Sequence, residues 1–304
     1  MKTFSRLIPV FGVVTLALVG APPLASAAEE NAEEITQAAH EARPKTMRQV
    51  FDRALEAAEL RPDQKKAVDE LGTEAELRHA PVRAAKGKLM MAVADQVERG
   101  KIDRCELRDE IDEVVQAKAK AKVGDREAFE KLHSILDSGQ RTKFVDGLTK
   151  AWHAFKKAHG PKAKLEKMAR ELNLSEDQKE KIEELAEAAR DARGGDEARA
   201  ARHEKWVKIL DAFKGDDFDL DKVAPREDRT EAMRQRIDGH LWFSEGVLPV
   251  LTDEQRALAA DKIRAKAKTL AAPEDHDSAA KASDHEHEHE HDADKEDEEE
   301  EDDD

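Results

Sequence analysis

The sequence predicts an all-α protein made of two tandem repeats of about four helices each. Four copies of a Leu-x-x-x-Gln signature recur at matched spacing, apolar side chains follow a helical period from Met47 onward, and no segment alternates as a strand would. Aromatic residues make up 4% of the chain, which leaves few large side chains for a thick core. We therefore expect a thin, extended and curved helical assembly rather than a compact bundle.

The four signatures form two pairs. They are Leu60 with Gln64, Leu136 with Gln140, Leu174 with Gln178, and Leu251 with Gln255. The two glutamines are 76 residues apart in the first pair and 77 in the second. Gln178 follows Gln64 by 114 residues (178 minus 64), and Gln255 follows Gln140 by 115 (255 minus 140). This matched spacing predicts a tandem duplication of one structural unit.

Each signature is typical of a helix start. Ser175 with Gln178 and Thr252 with Gln255 have the capping-box pattern, in which the hydroxyl accepts from a first-turn N–H and the glutamine reaches back to the cap N–H. Asp137 suits the same role. Arg61 is a poor cap, but Pro62 suits the first helical position.

Glycine and proline divide the rest of the chain. Gly160 and Pro161 separate the repeats, since proline disfavours helix in the residue before it. Gly194-Gly195 and the segment 215–217 interrupt the second repeat, and we expect Gly87, Gly100 and Gly124 to interrupt the first less clearly. Each repeat should then contain one short helix, two long helices and one that opens at the second signature.

At these signatures the chain resembles the Spy/CpxP family, whose hallmark is Leu-Thr-x-x-Gln. Leu251 with Thr252 and Gln255 keeps the full motif, Leu174 with Ser175 and Gln178 is a conservative variant, and the copies in the first repeat are degenerate. The resemblance covers residues 46–158 and again 161–270. It implies an all-helical, cradle-shaped protein that acts as an ATP-independent periplasmic chaperone, with relatives that serve as envelope-stress or metal-responsive factors.

Residues 1–27 have the pattern of a secretory signal. Lys2 and Arg6 precede an apolar run, and Ala25-Ser26-Ala27 is a small-residue cleavage site. The domains predicted are a signal peptide (1–27), a flexible lead-in (28–45), repeat one (46–160), repeat two (161–272) and a disordered tail (273–304). We expect cleavage near Ala27, a periplasmic location, and no membrane insertion after cleavage.

The negative charge is concentrated at the C-terminus. The net charge of the chain is −17, and residues 273–304 hold 18 acidic and 2 basic side chains. The remaining helical region is dense in both signs and nearly balanced. This balance argues against nucleic-acid binding, which requires a basic stripe.

The acidic tail also contains regularly spaced histidines. His285, His287, His289 and His291 alternate with glutamates, and His276 precedes them. Neutral imidazoles and carboxylates bind zinc, nickel or copper, so these five residues are the candidate metal ligands. The other interpretation is a solvated acidic segment. No cofactor is expected to be required.

The sequence contains no recognisable catalytic motif. It lacks a phosphate-cradling glycine loop, a His-Glu-x-x-His helix, a Gly-x-Ser-x-Gly elbow and a Cys-x-x-Cys pair. We therefore expect a binding protein: a holdase for unfolded envelope proteins, or alternatively a metal-responsive periplasmic protein of the envelope stress response. A membrane stress sensor is a further possible partner, and the duplication is compatible with a monomeric pseudo-dimer or a homodimer.

Overall fold

A computed structural model describes residues 46–192 and 194–271, and these residues are helical almost throughout, with no strand among them. The α-helices are α1 Met47–Ala57, α2 Pro62–Glu98, α3 Arg108–Ile135, α4 Ser138–Ala158, α5 Pro161–Leu172, α6 Glu176–Asp191, α7 Gly195–Lys214, α8 Leu220–Val223, α9 Thr230–Val247 and α10 Asp253–Ala271. A 3₁₀ turn, Leu248–Val250, precedes α10. The all-α prediction is confirmed. The predicted signal peptide, lead-in and tail lie outside the described residues.

The first repeat contains the four helices predicted, α1 to α4. Thr46 caps α1 by accepting from the Gln49 N–H, Pro62 occupies the first position of α2, and Asp137 caps α4. Gly100 ends α2 with a φ of +74°, which a side chain rarely adopts.

The interruptions predicted at Gly87 and Gly124 are wrong, because both residues lie within helices. Gly124 has a packing role instead. A Cβ atom there would lie 2.5 Å from Cδ of Arg78, so the glycine makes room for a side chain of the neighbouring helix α2. The Arg78 guanidinium then reaches Asp125, with Nε 3.0 Å from Oδ1.

Among the described residues, the second predicted repeat has six α-helices, α5 to α10, rather than about four, because elements that are continuous in the first repeat are broken in it. With the 114-residue offset, α2 corresponds to α6 and α7 together. The break falls at Gly194 and Gly195, whose φ angles of +84° and +53° are left-handed. In the first repeat the position of Gly195 is occupied by Pro81, which lies inside the continuous helix α2.

The two repeats also differ in how their first and last helices meet. In the first repeat α1 packs along α4, and a Cβ at Gly147 would lie 2.8 Å from Cβ of Ala57. The offsets of 114 and 115 place Glu171 and Lys262 at the corresponding positions, and these form an ion pair of 4.0 Å. Ala57 and Gly147 permit close packing of α1 on α4, whereas the long side chains of Glu171 and Lys262 prevent it between α5 and α10. Helix α10 packs mainly against α2.

The apolar core consists of three clusters. The first contains residues of α1 to α4, α7 and α8. It includes the stacked rings of Phe129 and Phe213, whose centroids are 4.6 Å apart. The second joins α2 and α3 to α9 and α10, and the third joins α5 and α6 to α9 and the 3₁₀ turn. Helices from both predicted repeats therefore share the first and the second clusters.

Among the described helices, none is long and apolar enough to cross a bilayer.

Candidate functional site

The two signature glutamines of the first repeat bond to each other. Nε2 of Gln64 donates to Oε1 of Gln140 over 2.7 Å, and Nε2 of Gln140 donates to Oε1 of Gln64 over 2.9 Å. The two side chains are 3% and 8% exposed. The signature thus connects the start of α2 to the start of α4, across 76 residues of sequence.

Each of these amides also bonds to the backbone. Oε1 of Gln64 accepts from the Arg61 N–H over 3.0 Å, and Nε2 donates to the Ile135 carbonyl over 2.6 Å. Gln140 accepts from the Asp137 N–H over 3.1 Å and donates to the Glu59 carbonyl over 3.4 Å. Both donors and both acceptor sites of each amide are used, as burial of a polar side chain requires.

The second pair repeats this geometry. Nε2 of Gln178 lies 2.8 Å from Oε1 of Gln255, and Nε2 of Gln255 lies 3.1 Å from Oε1 of Gln178. Gln178 donates to the Val250 carbonyl, while Gln255 donates to the carbonyls of Leu172 and Asn173. The predicted capping boxes are present, with Ser175 Oγ and Thr252 Oγ1 each accepting over 3.2 Å.

Two of the carbonyl groups that the glutamines reach belong to residues with an unusual backbone conformation. Glu59 has a φ of +52° and Asn173 a φ of +50°, and both lie one residue before a signature leucine. These are the non-glycine residues of the described chain with positive φ. The left-handed turn directs the chain from α1 or α5 back toward the next helix start. Contacts, capping and backbone strain therefore recur together at the predicted offset.

The signature leucines fill the core beside these amides. Leu60 and Leu136 are buried in the first cluster, and Leu174 and Leu251 are buried in the third. Each signature leucine therefore packs into the core directly before a helix start. Sequence reasoning assigned the glutamines to their own caps and missed that they pair. The near-equal spacing of 76 and 77 residues was the signal for it.

The family model of the LTXXQ motif family protein matches residues 162–263. Over these residues the chain is similar to the LTXXQ motif family, which is of the Spy/CpxP type. The matched LTXXQ segment contains the second glutamine pair, both capping boxes and the third apolar cluster. No curated protein and no solved structure matches the chain. The match does not extend to the first repeat, so the tandem duplication stays a prediction.

Several large apolar side chains remain exposed in the described region. They are Leu77, Met91, Val123, Val207, Trp242 and Leu258, and Leu77 is 71% exposed. Val123 also lines a shallow groove between α3 and the segment that leads into α9. The groove combines the apolar Ala119 and Met233 with charged side chains such as Lys122 and Arg226. These residues are candidates for contact with another protein.

Two histidines of the described region have hydrogen-bond partners within the fold. Nε2 of His79 lies 2.9 Å from Oδ1 of Asp125, and Nε2 of His133 lies 2.8 Å from the Gly215 carbonyl. Within residues 46–192 and 194–271 no three His, Cys, Asp or Glu side chains are grouped so as to hold a metal ion. The predicted ligands His276, His285, His287, His289 and His291 lie outside the described residues.

Proposed function

We propose that this protein is an exported, ATP-independent chaperone that binds unfolded proteins in the periplasm. The observation that carries the proposal is that an LTXXQ-family segment is joined, within one helical fold, to exposed apolar side chains. Exposed apolar surface is commonly a binding surface. The densely charged helix surfaces around it would speed encounter and keep a complex in solution.

Exposed apolar side chains on different helices would contact the client. Leu77, Val123 and Trp242 lie on α2, α3 and α9, so an extended client segment could use several of them weakly. Weak, distributed apolar contacts favour binding of many sequences over recognition of one. The paired glutamines would support this function indirectly, by fixing the helix starts.

Equilibrium binding of a labelled client tests the proposal. The mature chain should bind a reduced, permanently unfolded protein but not its native form, as measured by fluorescence anisotropy. Changing Leu77 and Val123 together to glutamine should weaken this binding. The matched control, Lys120→Gln and Glu127→Gln on α3, should leave it unchanged. Equal affinity for native and unfolded client would contradict the proposal.

A metal-responsive periplasmic role is the second candidate. The alternation of four histidines with glutamates in 285–291 favours it. Removal of residues 273–304 distinguishes the two functions, because a holdase should keep its activity and a metal factor based on the tail should lose it. A membrane stress sensor is a further proposed partner. The proposed oligomeric state is a monomeric pseudo-dimer or a homodimer.

A further inference from the structure

The groove between α3 and the segment that leads into α9 has the size of a small ligand. Its volume is about 200 Å³, below the ~300–1,000 Å³ of a site for a drug-sized molecule, so it suits a short one. Residues 226–230 and Met233 line one side of the groove. The other side belongs to α3 and consists of Ala119, Lys122, Val123 and Arg126.

The lining residues of α3 form two neighbouring rows. Ala119 and Val123 make an apolar row, and Lys122 and Arg126 make a cationic row beside it. Residues four positions apart lie on the same face of a helix, so both rows follow the groove for about one turn. Met233 adds a further apolar side chain from α9. Val123 is 48% exposed, which leaves apolar surface in the groove open to a ligand.

Three of the four cations that line the groove are already paired. Arg126 and Arg226 both bond to Asp221, with Nη2 of Arg126 2.5 Å from Oδ1 and Nε of Arg226 3.1 Å from Oδ2. Arg229 bonds to Glu227, with Nη2 2.9 Å from Oε2. These ion pairs hold the guanidinium groups in place and neutralise most of their charge.

Lys122 is the lining cation without such a partner. Among the described residues, its ammonium group makes no ion pair and no hydrogen bond, although its side chain is partly buried. Burial lowers the pKa of Lys122, Arg229 and Arg126 add to this shift, and Glu227 and Asp228 oppose it. A partly desolvated ammonium group that lacks a hydrogen-bonded counter-charge favours an incoming anion.

The charge around the groove fits an anion with a single negative charge. The four lining cations are accompanied by three carboxylates, Asp221, Glu227 and Asp228, so the local net charge is +1 (4 minus 3). Glu227 and Asp228 line the groove themselves and would repel a dianion more strongly than a monoanion. A carboxylate therefore fits better than a phosphate monoester, whose charge at pH 7 is about −1.5 to −2.

We propose that this groove is a binding site for a small aliphatic monocarboxylate. The carboxylate pairs with the Lys122 ammonium group, and a chain of a few methylene groups covers Val123, Ala119 and Met233. A hydrogen bond between two ionised groups is stronger than a neutral one, and burial of methylene groups adds to affinity. The site does not depend on the proposed chaperone function, since no client takes part in it.

Hexanoate is the probe, and a chemical-shift titration of the mature full-length chain measures its binding. The backbone amide signals of Ala119, Val123 and Met233 should shift saturably. Acetate, which lacks the chain, and 1-hexanol, which lacks the charge, should each bind about tenfold more weakly or less. The absence of a saturable shift with hexanoate would overturn the proposal, as would equal affinities for the three compounds.

Variants of Lys122 test the role of its charge. Lys122→Met keeps the apolar stem and removes the charge, so hexanoate binding should weaken by about tenfold or more. Lys122→Arg keeps the charge and should retain most of the affinity. Lys120→Met, at an exposed position of α3, is the matched control and should bind hexanoate as the unaltered chain does. Equal hexanoate affinity in the Lys122→Met and Lys120→Met chains would contradict the site.

A short peptide that ends in leucine addresses the other source of an aliphatic carboxylate. It should bind no more tightly than hexanoate. Tighter binding that is lost in Lys122→Met, and also when the peptide is amidated at its C-terminus, would assign the groove to a chain terminus and contradict the small-molecule ligand.

Discussion

Gln64 and Gln140 bond to each other in both directions, with each Nε2 within 2.9 Å of the other's Oε1. Each amide oxygen also accepts from the backbone N–H of its own helix cap. Each amide nitrogen donates to a backbone carbonyl just before the helix that carries the other glutamine. Each signature glutamine therefore acts as half of a reciprocal clamp between two helix starts. This explains why the signatures occur in pairs.

Removing one glutamine of the buried pair should leave the other without a partner. We expect Gln64→Ala to lower the free energy of unfolding by about 1–3 kcal/mol, the usual cost of an unsatisfied buried polar group. Adding Gln140→Ala should cost less than it does alone, because the two residues act on one interaction. Urea denaturation of both single variants and the double variant measures the coupling.

Gln116→Ala is the control for this cycle, since Gln116 is exposed on α3. The corresponding change Gln178→Ala should cost less than Gln64→Ala because the second pair is only partly buried. Strict additivity of Gln64→Ala and Gln140→Ala would contradict the clamp.

The left-handed positions should respond to substitution with opposite signs. Glu59→Gly should stabilise the protein by about 1 kcal/mol, because glycine adopts positive φ without steric cost. Asn173→Ala should destabilise it by a similar amount, since asparagine tolerates this conformation better than alanine. Thermal melting measures both. Glu56→Gly, within α1, is the control and should destabilise.

Asp52 should make stability depend on pH. Burial raises its pKa from 3.8 to about 7, with Arg48 opposing and Glu56 adding to the shift. The native state then holds a proton that the unfolded chain releases, so this contribution to stability falls as pH rises from about 4 to 7. Asp52→Asn should raise the melting temperature at pH 8 and change it little at pH 4. The exposed Asp211→Asn serves as control. An equal effect of Asp52→Asn at both pH values would contradict this account.

Metal binding by the tail should weaken in acid. Protons compete with zinc or nickel for the imidazoles of His285, His287, His289 and His291, and ordering the chain around one ion costs entropy. We expect modest affinity at pH 7.5 that is largely lost by pH 5.5. Calorimetric titration of the full-length chain and of a chain ending at Ala272 measures it. Equal binding by both chains would place the metal site elsewhere.

Much of the fold follows from local rules in the sequence. Pro62, Ser175 and Thr252 define helix starts, and the 114-residue offset identifies corresponding elements. Long-range packing was harder to predict. From the sequence alone, Gly124 suggests a helix break, because its contact with Arg78 cannot be predicted locally. Likewise, Glu171 and Lys262 do not indicate that α10 packs on α2 rather than on α5.

Aggregation of an unfolding client is the most direct test of the proposed chaperone function. Light scattering of a reduced client should show suppression by the mature chain near a one-to-one ratio, without nucleotide. The chain ending at Ala272 should perform equally well. No suppression at a several-fold excess of a folded, monodisperse protein would contradict the central claim.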